Sequence, residues 1–360
     1  MKGSFKHLLT LLLAFTLVFT HAVTPVYAEA GDEPNEADPG NSTQLEMEDL
    51  DPSTLNVQKI GEKYVKEDTE EEVRPFDQND TVRVSIVLDG DSVIGAGYPT
   101  ENIGSNSAAI SYRNQLKRQQ ESVTKAIEKQ LKKEIDVKWN ITLAANIISA
   151  EVKYSDINKI KMVSGVKDVF LENRYEVPVT AVSNPQTSNT SSGMVGAQDA
   201  WLAGYTGAGS RIAIIDTGLD IYHDSFNPDA FDYAIEQLDY EPDLLTEEEV
   251  EGLASQLNGA GVYVDSKVPY AFNYVDGNLD VTHANDVQGE HGSHVAGIAA
   301  ANRYVETADG FTDALEEVFA VGMAPDAQII VMKVFGTRGG AYDSDYFTAI
   351  EDAIILTVSS

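Results

Sequence analysis

Arg211-Ile212-Ala213-Ile214-Ile215-Asp216-Thr217-Gly218 is the stretch that decides the architecture. The run Ile212–Ile215 is short, unbroken and rich in isoleucine, as expected of a strand buried on both faces. It ends in a carboxylate and a glycine. A second run of the same kind, Ile329-Ile330-Val331-Met332-Lys333-Val334, precedes Gly336, and residues 345–355 have helical spacing. Strands alternating with helices predict an α/β protein with a parallel sheet. In such sheets functional groups gather beyond the carboxyl ends of the strands. Asp216 occupies that position.

The next informative segment is Gly289-Glu290-His291-Gly292-Ser293-His294-Val295-Ala296-Gly297. An imidazole titrates near neutrality and suits general-base work. Acyl transfer by a hydroxyl needs such a base, held in one tautomer by a buried carboxylate. A strand-end Asp can supply the carboxylate. A His opening a helix can supply the base, with Gly292, Ala296 and Gly297 allowing close packing. His291 and His294 stand three apart, as a helical zinc pair would. No third ligand follows at the usual spacing, and the chain has no cysteine, so zinc is disfavoured.

Upstream lies a different pattern. Val82, Val84, Ile86 and Leu88 alternate with Arg83, Ser85 and Val87, which predicts a half-buried strand. A helix is predicted over 108–133, with Leu116, Val123, Ile127 and Leu131 on one face. Arg113, Lys117, Lys125, Lys129 and Lys132 cover much of the rest. Strands follow at 137–143 and 147–152. A short helix over 156–162 is capped by Ser155 or Asp156 and ended by Gly165, and a last strand spans 166–171. The order β-α-β-β-α-β is the split ferredoxin-like arrangement. It defines an α+β domain over 76–180, a polar processing linker over 181–193, and a second domain over 194–360.

The N-terminus carries Lys2 and Lys6, an apolar run from Leu8 to Phe19, and Val26-Tyr27-Ala28 as a small-residue cleavage site. Residues 1–28 are therefore expected to be a secretory signal peptide, which places the product outside the cell. Residues 29–75 begin with an acidic, Pro-punctuated stretch free of Lys and Arg up to Gln58, and are expected to be a disordered linker. The whole chain holds 58 acidic and 25 basic residues, a formal charge of −33, which argues against a nucleic-acid partner. Without cysteine, disulfides and thiolate chemistry are excluded. After signal removal no apolar stretch is long enough to span a membrane.

The Asp216 and His291 segments, with Gly322-Met323-Ala324-Pro325-Asp326-Ala327, resemble the successive motifs of the subtilisin-like serine proteases, peptidase family S8. The resemblance covers about Thr81 to Ser360. It implies a subtilisin-like parallel sheet with flanking helices, present in part over 194–360. It makes Asp216 the orienting carboxylate and His291 the general base. Val334-Phe335-Gly336-Thr337-Arg338-Gly339-Gly340 looks like the edge segment that pairs with the substrate backbone, with Thr337, Arg338, Gly339 and Gly340 binding peptide by strand addition. The upstream domain looks like the family's inhibitory propeptide, whose own catalytic domain is its partner. The separation of 75 positions between Asp216 and His291 exceeds that of small secreted members, and includes an acidic stretch, 236–251, expected to be a solvated loop. The wording of Ala349-Ile350-Glu351-Asp352-Ala353 is closest to the lactocepin and C5a-peptidase group of cell-envelope proteinases.

The family's nucleophile sits in a Gly-Thr-Ser-Met-Ala-like motif, and an oxyanion-hole Asn precedes it. After His291 only Ser293, Ser344, Ser359 and Ser360 occur, and none fits. The expected function is that of a secreted endopeptidase precursor acting on protein and peptide substrates, with the 360-residue chain inactive by itself. Two other readings stand beside it: a propeptide-type inhibitor or folding chaperone, and a non-catalytic surface-binding pseudoprotease. The chemistry requires no cofactor. Calcium is compatible with a cysteine-free secreted member, but no ligand set is evident.

Overall fold

The computed structural model describes residues 57–60, 63–66, 76–176, 195–284, 286, 289–314, 320–337 and 339–358. The signal peptide, most of the acidic linker, the processing linker and Arg338 lie outside the described residues. The chain divides into Met1–Val73 and Arg74–Ser360. In the first part, β1 (Val57–Ile60) and β2 (Lys63–Lys66) form an antiparallel hairpin within the stretch expected to be linker.

Arg74–Ser360 holds two lobes. The antiparallel lobe runs β3 (Thr81–Leu88), α1 (Ser107–Leu131), β4 (Asp136–Ile141), β5 (Ile147–Lys153), α2 (Ile157–Ile160) and β6 (Val166–Leu171). Its four strands pair antiparallel in the order β4-β5-β3-β6. Val82, Val84, Ile86 and Leu88 point to one face and form a core with Val123 and Ile127 of α1. The period-2 strand pattern and the 3.6-residue helix pattern thus meet where the sequence predicts. Asn106 caps α1 through its side chain, and Lys132 ends it in the left-handed conformation.

Two local expectations fail in this lobe. Asp156 does not cap α2; it is buried and held by Lys133 at 2.6 Å and Lys159 at 2.8 Å. Arg113 does not lie on a solvated face of α1. It is buried, because it meets partners from the other lobe that helical periodicity cannot show.

After β7 (Arg174–Tyr175) the parallel lobe comprises α3 (Ala197–Leu202), β8 (Arg211–Asp216), α4 (Pro228–Glu236), α5 (Glu247–Leu253), β9 (Tyr270–Asn273), α6 (His291–Ala300), β10 (Tyr304–Thr307), β11 (Gly310–Asp313), β12 (Gln328–Lys333), β13 (Ala341–Tyr342) and α7 (Asp343–Val358). β12 is central in the parallel sheet β8-β12-β9, and β10–β11 is a separate hairpin. Ile329 and Val331 of β12 join Ile214, Ala296 and Ala300 on the α6 side. Ile330 and Met332 join Ala349, Ala353 and Leu356 on the α7 side. Every residue of β12 and of β9 is buried, whereas β8, on the other side of β12, is only half-buried.

The acidic stretch is not simply a solvated loop. It contains α5, started by a full capping box of Thr246 and Glu249. Leu245, Val250, Leu253 and Leu257 pack into the α7-side core, while the glutamates of the helix stay exposed. Among the described residues no helix is long and apolar enough to cross a membrane.

Candidate active site

The register β8–β12–β9 sets Asp216, Lys333 and Asn273 in one row at the carboxyl end of the sheet. α6 begins at His291 directly beyond this edge. Its approach depends on glycine at two positions. A Cβ on Gly292 would overlap the Gly218 carbonyl oxygen, and Gly218 itself has φ +109°, in the region that favours glycine. Gly292 is therefore required by the contact between helix and strand end, whereas a Cβ on Gly297, also expected to allow close packing, would meet nothing within 4 Å.

His291 Nδ1 lies 2.8 Å from Asp216 Oδ1 and 3.0 Å from Oδ2. Asp216 Oδ1 also accepts the Thr217 N–H at 2.6 Å. Thr217 Oγ1 accepts the Gly292 N–H at 2.9 Å and donates to the Gly289 carbonyl at 3.3 Å. Ser293 Oγ accepts the Asp220 N–H at 2.8 Å, so this serine braces the turn after the carboxylate. Among the described residues no serine hydroxyl is hydrogen-bonded to His291. Among the described residues no group of three or more His, Cys, Asp or Glu is placed to hold a metal ion.

One supporting residue escaped sequence reasoning. Lys333, buried at the end of β12, donates to the Thr217 carbonyl and forms an ion pair with buried Asp286 at 2.6 Å. The signal was present: a lysine inside an apolar strand pattern needs buried partners.

The edge segment 334–340 turns sharply. Gly336 and Gly339 hydrogen-bond each other, Gly339 has φ +92°, and the Thr337 N–H donates to Asp276 at 2.9 Å. β13 follows at once and pairs antiparallel with β7, Ala341 opposite Tyr175 and Tyr342 opposite Arg174. A Cβ on Gly340 would strike the Tyr175 carbonyl. The Tyr175 hydroxyl donates to Asp343 at 2.8 Å, which raises its pKa, and its ring meets Tyr346 edge-on. Burial pushes the Tyr346 phenol up to about 12, with the Asp216 charge adding to the effect.

The antiparallel lobe sits on α7 through charge. Arg83 pairs with Asp345 at 2.7 Å and Glu172 at 3.7 Å, and Trp139 Nε1 donates to the same Asp345 at 2.7 Å. Glu351 accepts the N–H groups of Thr142, Leu143 and Ala144. Burial raises the pKa of Glu351, and raises that of its neighbour Asp352 to about 6. A cavity of about 440 Å³ opens at this seam, lined by Trp139, Tyr274, Asp276, Gly340 and Tyr342 among others.

Residues 207–358 match the subtilase family, Peptidase S8. A PII-type proteinase of Lacticaseibacillus paracasei is 30% identical over 318 residues, 87% of this chain and 14% of that protein. A PI-type proteinase of Lactococcus lactis subsp. cremoris is matched to the same extent, at 30% identity. A C5a peptidase of Streptococcus pyogenes is 32% identical over 152 residues, 42% of this chain and 12% of that protein. The chain spans about 14% of the length of the proteinases it matches over most of its own length. Through residues 207–358 the chain belongs to the subtilase family, the subtilisin-like serine proteases.

Proposed function

We propose that this chain is part of the precursor of a secreted serine endopeptidase, in which Asp216 and His291 are two members of an Asp-His-Ser triad. The observation that carries the reading is the contact of His291 Nδ1 with both oxygens of Asp216. That contact leaves the proton on Nδ1 and the lone pair on Nε2. Nε2 then takes the proton of an attacking hydroxyl and later returns it to the leaving amine. The Asp216 carboxylate compensates the imidazolium formed between those two steps. Residues 1–360 supply the carboxylate and the base, and the nucleophile must come from outside them.

Substrate is read as an extended peptide added to the edge segment 334–340, with Thr337, Arg338, Gly339 and Gly340 as its backbone partners. The pairing of β7 with β13 supports this, since an extended segment of the chain already uses that edge. The antiparallel lobe is read as a ferredoxin-like inhibitory propeptide, with 181–193 as the processing linker and 1–28 as the signal peptide. No metal is needed for these steps.

A fluorophosphonate probe tests the reading on a polypeptide that extends beyond residue 360 into the nucleophile. Labelling is expected, and is expected to vanish in His291→Ala. Labelling unchanged by His291→Ala would overturn the proposal. Residues 1–360 alone should stay unlabelled.

A second reading has its own support: the antiparallel lobe has a separate core and covers the β13 edge, as an inhibitor or folding template does. It predicts that this lobe lowers turnover when added to the mature protease.

A further inference from the structure

The stretch 245–259 belongs to the parallel lobe by chain position, yet its contacts run to both lobes. Leu253 and Leu257 sit in one apolar cluster with Val93, Leu116 and Leu143 of the antiparallel lobe. The polar contacts are more specific. Arg113 donates through Nη1 to the Gln256 carbonyl, and its Nη2 lies 3.5 Å from both Asn258 Oδ1 and Glu351 Oε2. Its Nε donates to Thr142 Oγ1 at 2.9 Å. Gln256 answers by donating Nε2 to the Gly104 carbonyl at 2.7 Å.

The opposite side of the stretch is held by α7. Asp352 accepts the N–H groups of Asn258 at 2.8 Å and Gly259 at 2.7 Å. Asn258 Nδ2 donates to Glu351 Oε2 at 3.2 Å. Residues 256–259 are thus clamped between a guanidinium from one lobe and two adjacent carboxylates from the other. A buried charge needs every one of its partners. Arg113 places three of its contacts on residues of the parallel lobe, two of them on 256–259.

We propose that residues 245–259 are a docking element for the antiparallel lobe, and that Arg113 is the residue that reads it. The partner this surface fits is a lobe that presents a buried guanidinium to the Gln256 carbonyl and Asn258, beside apolar side chains that meet Leu253 and Leu257. The element makes the catalytic lobe selective for its own pro-segment over one without that arginine. The selectivity rests on the propeptide reading above; the docking does not.

Amide hydrogen exchange of the intact 360-residue chain tests the docking, read at residues 142–144 and 256–259. In Arg113→Met both segments are expected to exchange at least tenfold faster, while Ile86 of β3 and Val331 of β12 keep their protection. Unchanged exchange at 256–259 would overturn the proposal. Asn258→Ala provides the reciprocal test from the other lobe, and decides the matter should Arg113→Met fail to fold. It removes the donor that steadies Glu351, so exchange at 142–144 should rise several-fold, and no change there would overturn the proposal. Exchange does not depend on turnover. An antiparallel lobe that docks in this way but fails to inhibit would refute the propeptide reading and leave the docking standing.

Discussion

Arg83 and Asp345, 262 positions apart in the chain, meet at 2.7 Å with both side chains almost wholly buried. The guanidinium also neutralises Glu172 and lies over the Tyr342 ring, so one cation serves the seam between the two lobes. Removing it strands two buried carboxylates. Breaking a buried pair from one side costs about 3–5 kcal/mol. Arg83→Met should lower the unfolding free energy by that amount. The fluorescence of Trp139, whose indole donates to Asp345, reports the transition. An unchanged denaturation midpoint would show that the pair contributes nothing.

The Asp216–His291 contact predicts a strongly hydrogen-bonded Nδ1 proton, visible as a far-downfield resonance in proton NMR. Asp216→Ala should remove it. In a polypeptide that also carries the nucleophile, Asp216→Asn should lower kcat by about 10⁴-fold and His291→Ala by about 10⁶-fold, the scale for losing the orienting acid and the base of a triad. Loss of less than about tenfold in either variant would remove these residues from the chemistry.

Gly292→Ala tests whether the close approach of α6 is what aligns the pair. The new methyl would meet the Gly218 carbonyl, and overpacking of this kind costs about 1–3 kcal/mol. The downfield proton should broaden or vanish although Asp216 and His291 are both still present. A variant that keeps the resonance and the native stability would show that the helix start tolerates displacement.

Asp352 gives a pH dependence of defined sign. Burial raises its pKa from 3.8 to about 6, so the folded protein holds this proton more tightly than the unfolded chain. Between those two values the group makes stability fall as pH rises, by about 3 kcal/mol in all. Carbon-13 NMR of the Asp352 carboxyl should show a midpoint near 6, moving higher in Arg113→Met, because Arg113 favours the charged form. A midpoint at 4 or below would contradict the burial.

Much of this was legible in the chain because local pattern suffices for local structure. The alternation over Thr81–Leu88 and the helical spacing of Leu116, Val123 and Ile127 correspond to observed elements within a residue or two. Asp216 and His291 were legible because a strand end and a glycine-flanked helix start leave little freedom in the backbone around them. Arg113 and the 236–251 stretch were misjudged for the opposite reason. A charged side chain on a helix reads as solvated unless its partner is known, and the Gln256 and Glu351 partners of Arg113 lie more than 100 positions away; in 236–251 the helix glutamates are indeed exposed, and it is Leu245 and Val250 that pack into a core.

The sequence by itself pointed to β3 to β6, β8 and β12, to α1 and α7, to the family motifs, and to Asp216 and His291 as candidate orienting acid and base, since these depend on residue type and short-range spacing. Only the tertiary structure decided that Lys333 and Asp286 brace the Thr217 turn, that β7 pairs with β13, and that the charged side chains of Arg83 and Arg113 are buried. The physical reason is that a buried charge or a free strand edge is satisfied by whichever group the fold delivers to it. That choice is made by packing over long chain separations, which no local pattern encodes.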